Sequence, residues 1–153
     1  MLKRAYIALG SNMGNGANNL KQSIEALGLV PGVSVTRVSE FYVTEPWGFR
    51  DQPDFTNACC EVETSLSPEA LLGVCLGIEA GFGRIREFKN GPRIIDLDLL
   101  MYEGETRDTP ELRLPHPGMK TRSFVLEPLN DLAENGYVLD LDVKSALESL
   151  NIG

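Results

Sequence analysis

Two aspartates lie two positions apart inside an apolar stretch, in the segment NGPRIIDLDLLMY that covers residues 90–102. The surrounding isoleucines and leucines indicate a β-strand entered at Pro92, and alternate side chains of a strand share a face. Asp96 and Asp98 would therefore point the same way, with Leu97 and Leu99 towards the core. Two carboxylates in one cleft repel each other unless a cation lies between them, and a few hard oxygen ligands are typical of a Mg²⁺ site. The alternative is a half-exposed strand carrying ordinary surface acids.

A basic cluster precedes the two aspartates. It holds four of the fourteen basic residues of the chain within ten positions: Arg84, Arg86, Lys89 and Arg93. Arginine stays charged and matches phosphate oxygens with two parallel hydrogen bonds. Because the whole chain carries a net charge of −8, a local cluster of this kind favours a small anionic ligand over a polymer. A solvated charged loop is the alternative, since many charge runs are no more than that.

Four other residues could contact a ligand. Phe55 and Asn57 are two apart on a predicted strand, so a ring and an amide would project from one face and could hold a flat heteroaromatic molecule. A half-buried Phe and a turn-forming Asn would explain the same pair. Glu79 falls in the last turn of a predicted helix, where Arg84 or Arg86 could neutralise it. His116 lies between two prolines and could be a general base, although a lone histidine is more often a structural or ligand-positioning donor.

The remaining patterns predict the elements that carry these residues. A period of two predicts strands, and apolar residues at i, i+4 and i+7 predict a helix that Gly28 ends. Ser67, Pro68 and Glu69 are a strong helix start, and Gly81 and Gly83 predict its end. In chain order we expect a strand at 3–10, a helix at about 17–27, strands at 33–44 and 55–64, a helix from 68, the aspartate strand, and a helix near 143–150. This βαββαβ order is the ferredoxin-like pattern. We therefore predict one α+β domain over residues 1–153, with a ferredoxin-like core and C-terminal additions.

Composition limits the partners. A pI near 4.7 and the net charge of −8 argue against nucleic acid or an anionic membrane as the main partner. The apolar run in MLKRAYIALGSN is too short for a signal peptide, so we expect a cytoplasmic protein. Cys59, Cys60 and Cys75 form no metal or disulfide pattern and are expected to be buried thiols in a reducing compartment. The glycine-rich ALGSNMGNG matches neither standard phosphate-binding loop.

Four segments together resemble the 6-hydroxymethyl-7,8-dihydropterin pyrophosphokinase family of the folate pathway. They are YIALGSNMGN, TEPWGFRDQPDFTNA, GRIR followed by GPRIIDLDLLMY, and LPHPGMKTRSFVLEPL. The resemblance extends from about residue 5 to about residue 132, and the combination of GPRIIDLDLL with LPHP is highly specific. It implies a ferredoxin-like α+β fold and transfer of pyrophosphate from ATP to the pterin hydroxymethyl group, with release of AMP.

The same resemblance implies a role for each matching residue. Asp96 and Asp98 would hold two Mg²⁺ ions on the triphosphate of ATP, the co-substrate. Arg84 and Arg93 would bind phosphates and steady the transferring group, and are the expected catalytic residues. The other expected ATP-binding residues are Glu79, Arg86, His116 and Arg122. The pterin pocket would consist of Phe55, Asn57 and Phe124, with the backbone from Thr44 through Pro46 to Trp47 closing its edge. We expect a monomer rather than an oligomer, with ATP and the pterin as its small-molecule partners.

Two other classes of function fit part of these observations. A nucleotidyltransferase also pairs a Gly-Ser turn with a DxD metal site, but there the two lie close in sequence, whereas Ser11 and Asp96 are far apart here. A pterin- or nucleotide-binding module without catalysis could use the same fold, because fold alone does not establish function. Loss of turnover with retained pterin binding in Asp98→Asn would favour the enzyme.

Overall fold

The central sheet follows from alternating sequence patterns in the first two thirds of the chain. In the computed structural model, which describes residues 1–45, 51–82 and 94–152, its strands are β1 (Lys3–Ser11), β2 (Val33–Val38), β3 (Tyr42–Thr44), β4 (Phe55–Thr64) and β5 (Asp96–Tyr102). The spatial order is β2-β4-β1-β5, and β3 pairs with β4 beyond the end of β2. All of these pairings are antiparallel. The order is that of a ferredoxin-like sheet, in which β2 and β3 together occupy one edge position.

Two helices cover one face of the sheet: α1 (Gly16–Leu29) and α2 (Pro68–Gly81). As predicted, Ser67 caps α2, because its hydroxyl oxygen accepts a hydrogen bond from the backbone N–H of Ala70 at 3.1 Å. The apolar residues of α1 and α2 pack on alternate residues of the strands, and Leu97 and Leu99 belong to this core. Their side chains therefore lie on the helix-covered face, as the alternation predicted, and the two aspartates between them face the other way.

The last third of the chain partly covers the opposite face of the sheet. It forms the hairpins β6 (Arg107–Asp108) with β7 (Arg113–Leu114) and β8 (Tyr137–Val138) with β9 (Leu141–Asp142), the helices α3 (Ser123–Asp131) and α4 (Val143–Ile152), and a short 3₁₀ helix (Met119–Thr121). A second core joins this layer to Tyr6, Ala8 and Cys59. Within the described part of the chain, no helix combines the length and apolar character needed to cross a membrane.

A buried polar network ties this layer to the sheet. The Tyr6 hydroxyl donates to Glu61 at 2.5 Å, and the Thr36 hydroxyl donates to the same carboxylate at 2.8 Å. Arg37 forms an ion pair with Glu61 at 3.4 Å and donates to the carbonyl of Leu132, just after α3. Burial alone would raise the pKa of Glu61, but these hydrogen bonds and the Arg37 charge outweigh it and hold that pKa below its usual value.

Three predicted boundaries are wrong. The strand expected at 33–44 is broken after Val38, because the Ser39 hydroxyl oxygen accepts the backbone N–H of Cys59 at 2.9 Å and takes the place of a ladder carbonyl. Gly28 does not end α1, which continues to Leu29, and Gly32 adopts the left-handed conformation in the turn that follows. The aspartate strand begins at Asp96 rather than near Pro92, which lies outside the described residues.

Candidate active site

Gly10 lies at the centre of the candidate site, on the middle strand of the sheet. It pairs with Asn57 on one side and with Asp96 on the other. A methyl group at Gly10 would point to the face that bears these two side chains, 3.2 Å from Asn57 Oδ1 and 3.9 Å from the Phe55 ring. The next pairs along this face join Ala8 to Cys59 and to Asp98. The antiparallel register therefore brings the predicted ring-and-amide pair and the predicted carboxylate pair to one sheet face, on either side of a glycine.

The amide of Asn57 is oriented by a neighbouring strand. Its Nδ2 donates to Thr44 Oγ1 at 2.7 Å, which leaves Oδ1 as the amide atom nearest to Gly10. Asn57 is only 6% exposed, and Phe55 is buried as well. Phe124, in the first turn of α3, is half-buried and packs on the core that contains Ala8 and Cys59. An aromatic ring and a fixed amide oxygen thus lie on this side of the face, a combination suited to a flat ligand with hydrogen-bond donors on its edge.

A cavity of about 520 Å³ lies on the other side, at β5. Asp96, Asp98, Glu79 and His116 line it, and Leu72, Leu76 and Leu112 give it an apolar wall. Glu79 is buried, and one of its oxygens accepts the backbone N–H of Leu97 at 2.8 Å. Since β5 is the last strand of the sheet among the described residues, this carboxylate satisfies a backbone donor on its outer side and fixes α2 against the aspartate strand.

His116 is held beside β5 by its own backbone. Its N–H donates to the carbonyl of Leu100 at 2.8 Å, and its imidazole Nδ1 accepts the N–H of Gly118 at 3.2 Å. Burial lowers the pKa of His116, and the Arg122 charge lowers it further against the opposing effect of Asp96. The lowered pKa favours the neutral ring, in which Nδ1 accepts the Gly118 N–H and Nε2 carries the proton. The Arg122 guanidinium lies over Gly118, where a methyl group would come within 2.8 Å of its central carbon.

The carboxylates at the cavity wall fit Mg²⁺. Among the described residues, no group of three or more His, Cys, Asp or Glu side chains forms a metal cage. Asp96 and Asp98 instead offer two carboxylates on one face of an edge strand, at the wall of a cavity with room for a ligand. Mg²⁺ is usually bound through one or two carboxylates, with waters and substrate phosphates completing its shell.

The turn after β1 carries polar side chains that reach both sides of the site. Asn12 is only 5% exposed, and its Nδ2 donates to Gln52 Oε1 at 2.8 Å and to the Pro53 carbonyl at 3.0 Å. Asn19, in the first turn of α1, donates to Ser11 Oγ at 3.1 Å and to the Met13 carbonyl at 2.8 Å, with a longer contact of 3.4 Å to the Ile94 carbonyl. Side-chain hydrogen bonds thus link the ALGSNMGNG segment to the start of α1 and to the residues before β4, and the start of α1 to the residues before β5.

The structure describes nine of the sequence-predicted site residues and places them beside Gly10, at the cavity or, for Arg122, close to His116, except Phe124, which packs on the core of the C-terminal layer. They are Thr44, Phe55, Asn57, Glu79, Asp96, Asp98, His116, Arg122 and Phe124. The others lie outside the described residues: Pro46, Trp47, Arg84, Arg86 and Arg93. Sequence reasoning missed Gly10, Asn12 and the apolar cavity wall. A glycine inside a strand pattern is a known sign of close approach by a neighbour, and could have directed attention to Gly10.

The structure defines a ferredoxin-like α+β domain with an aromatic ring and an amide on one side of β1 and an acid-lined cavity on the other. Residues 6–134 match the family described as 7,8-dihydro-6-hydroxymethylpterin-pyrophosphokinase (HPPK). The chain belongs to this family and is accordingly a pyrophosphokinase of folate biosynthesis that uses ATP.

Relatives agree with this assignment over almost the whole chain. The chain is similar to the 2-amino-4-hydroxy-6-hydroxymethyldihydropteridine pyrophosphokinase of Methylorubrum extorquens, with 44% identity over 98% of this chain and 95% of that protein. The Bacillus subtilis enzyme of the same name is 45% identical over 85% of this chain and 78% of its own length. A solved HPPK-DHPS structure has a TM-score of 0.68 and 14% identity, and the match covers 97% of this chain and 43% of that one. At this identity the likeness supports the fold alone.

Proposed function

We propose that this chain transfers pyrophosphate from ATP to the hydroxymethyl group of 6-hydroxymethyl-7,8-dihydropterin in the cleft above Gly10, and releases AMP. The observation that carries the proposal is the pairing of Gly10 with Asn57 and with Asp96, because it brings an amide and a carboxylate to one sheet face, on the two strands that flank β1. Such a transfer depends on positioning and charge stabilisation more than on covalent catalysis by the protein.

The pterin is assigned to the aromatic–amide side. Asn57 Oδ1 would accept a hydrogen bond from the amino edge of the pterin, since its Nδ2 is already engaged by Thr44. Phe55 and Phe124 would stack on the ring, and Gly10 leaves room for it close to the sheet. The backbone from Thr44 to Trp47 is proposed to close this pocket, on the resemblance described above.

The triphosphate is assigned to the acidic side, with Asp96 and Asp98 as the protein ligands of Mg²⁺. Two ions are proposed, and when bound they would offset the charge that develops on the phosphate oxygens. The hydroxymethyl oxygen of the pterin would attack the β-phosphorus in line with the departing AMP. Arg84 and Arg93 are proposed to stabilise the transferring group, and Arg86 to contact the nucleotide.

The cavity wall around His116 is assigned to the rest of the nucleotide. Neutral His116 offers an Nε2–H donor, Arg122 adds a positive charge beside it, and Glu79 completes the polar lining. Leu72, Leu76 and Leu112 would contact the flat base. A single domain, a monomeric state and a cytoplasmic location remain predictions.

Product analysis by mass spectrometry tests this assignment, after mixing the protein with ATP, Mg²⁺ and 6-hydroxymethyl-7,8-dihydropterin. We expect AMP and the pterin diphosphate in equal amounts. ADP with a pterin monophosphate would mean an ordinary kinase, and absence of turnover with tight pterin binding would mean a binding module. Asp98→Asn should abolish turnover and retain pterin binding, whereas Asp140→Asn makes the same chemical change on the exposed turn between β8 and β9 and should be active.

A further inference from the structure

Asn12 occupies an unusual position, because it is a buried amide that immediately follows the central strand and lies outside the cavity lining. Ser11, the last residue of β1, still pairs with Thr56 of β4. At the next residue β1 has ended, and the β-ladder with it. The side chain of Asn12 then makes the cross-connection instead, through two hydrogen bonds from Nδ2 to Gln52 and Pro53.

These two bonds fix the segment that leads into β4. Gln52 and Pro53 come shortly before Phe55, which is the first residue of that strand. Since both hydrogens of one buried amide nitrogen are used, the segment is held in position and in orientation. The start of β4 carries the ring of Phe55 and, two residues on, the amide of Asn57, both beside Gly10.

The support for Asn12 itself comes from α1. Asn19 donates to Ser11 Oγ and to the Met13 carbonyl, so the backbone is held on both sides of Asn12. Gly16 packs so closely on β4 that a methyl group there would lie 2.6 Å from Thr56 Oγ1. The start of α1, which supports Asn12, therefore packs directly on β4, the strand whose start Asn12 positions.

We infer that Asn12 is a positioning residue for the ring side of the site: through Gln52 and Pro53 it sets where β4 begins, and thereby the placing of Phe55 and Asn57. It acts through these residues, because its amide nitrogen donates to Gln52 and Pro53. The inference rests on the proposed function, because it assigns the pterin to the aromatic–amide side. Loss of Asn12 should therefore weaken binding of the pterin and not of the nucleotide, since Asp96, Asp98 and the nucleotide cavity lie on the other side of β1 and on another strand.

The test is Asn12→Asp, which keeps the shape of the side chain and replaces its donor nitrogen with an acceptor oxygen. Asn18→Asp is the matched control, with the same change and the same added charge on an exposed residue in the first turn of α1. Titration calorimetry would measure binding of the pterin and, separately, of a nonhydrolysable ATP analogue with Mg²⁺, and steady-state kinetics would give KM for each substrate. We expect the pterin Kd and KM to rise about tenfold in Asn12→Asp, as for loss of a buried hydrogen-bond pair, with nucleotide values within about twofold of the control.

A second variant covers the case in which Asn12→Asp fails to fold. Gln52→Ala removes one acceptor from a half-buried side chain and leaves the bond to Pro53, so a smaller rise in pterin Kd is expected, about threefold. Its control is Gln22→Ala on the exposed surface of α1. Equal losses for pterin and nucleotide, or pterin binding as tight as in the controls, would overturn the inference. Failure of the wild-type chain to form the pterin diphosphate would instead overturn the proposed function, so the two failures are distinguishable.

Discussion

Gly10→Ala should weaken pterin binding selectively, because the added methyl group would occupy the floor of the ring side. The methyl carbon would lie 3.2 Å from Asn57 Oδ1, closer than an ordinary contact, and 3.9 Å from the Phe55 ring. Asn57 cannot simply turn aside, since its Nδ2 is held by Thr44 at 2.7 Å. Overpacking of this kind costs about 1–3 kcal/mol. If the cost falls on the bound state, the pterin Kd should rise roughly 5- to 150-fold.

Titration calorimetry with the pterin, in the presence of Mg²⁺ and a nonhydrolysable ATP analogue, would measure this change. Gly73→Ala is the matched control, because Gly73 lies on the exposed side of α2 and a methyl group there would meet nothing within 4 Å. The control should bind pterin normally and be more stable by about 1 kcal/mol, the usual gain for Ala over Gly in a helix. Pterin binding by Gly10→Ala at wild-type strength would refute the placing of the ring above Gly10.

Three further predictions concern stability and thiol reactivity. Tyr6→Phe removes a donor from the buried carboxylate of Glu61 and should lower the free energy of unfolding at pH 7 by about 1–3 kcal/mol in urea titrations. Because the folded pKa of Glu61 is lowered, its contribution is present above the unfolded pKa and is lost as pH falls; the difference should therefore shrink below about pH 4, and a constant difference would contradict the reasoning. Ser67→Ala removes the N-cap of α2 and should cost about 1 kcal/mol by the same assay, whereas an unchanged midpoint would mean that the cap contributes nothing. The three cysteines are buried and free, and burial raises the pKa of Cys60 to about 12. The native protein should therefore react slowly with a thiol reagent, and all three thiols should react rapidly only in denaturant. One fast-reacting thiol in the native protein would count against this burial.

The elements that could be predicted from the sequence are those whose side-chain period directly reflects burial. The alternation around Asp96 and Asp98 gave the face of both carboxylates correctly, because the same period places Leu97 and Leu99 in the core. The start of α2 was equally predictable, since the Ser67 cap depends on residues within one turn of each other.

What could not be predicted depends on contacts between residues distant in sequence. The break after Val38 arises because Ser39 bonds to Cys59, a residue on another strand, and nothing in the local pattern marks that contact. Gly28 resembles a helix stop but continues the helix, because the turn that requires a left-handed glycine comes at Gly32. The role of Gly10 in the site follows from the register of three strands, which the order of elements alone does not specify.

The position of β1 between β4 and β5 determines how the cleft can be assembled during folding. Phe55, Asn57 and Thr44 of the ring side need only β1, β3 and β4, whereas the acidic side requires β5 to pair with a strand near the other end of the domain. Contacts that close so long a loop carry a larger entropic cost and tend to form late. A nascent chain emerging from the ribosome could therefore bring Phe55 and Asn57 beside Gly10 before Asp96 and Asp98 have been synthesised, with Phe124 added to this side only later. Phosphate-transfer competence would arise only when β5 completes the sheet.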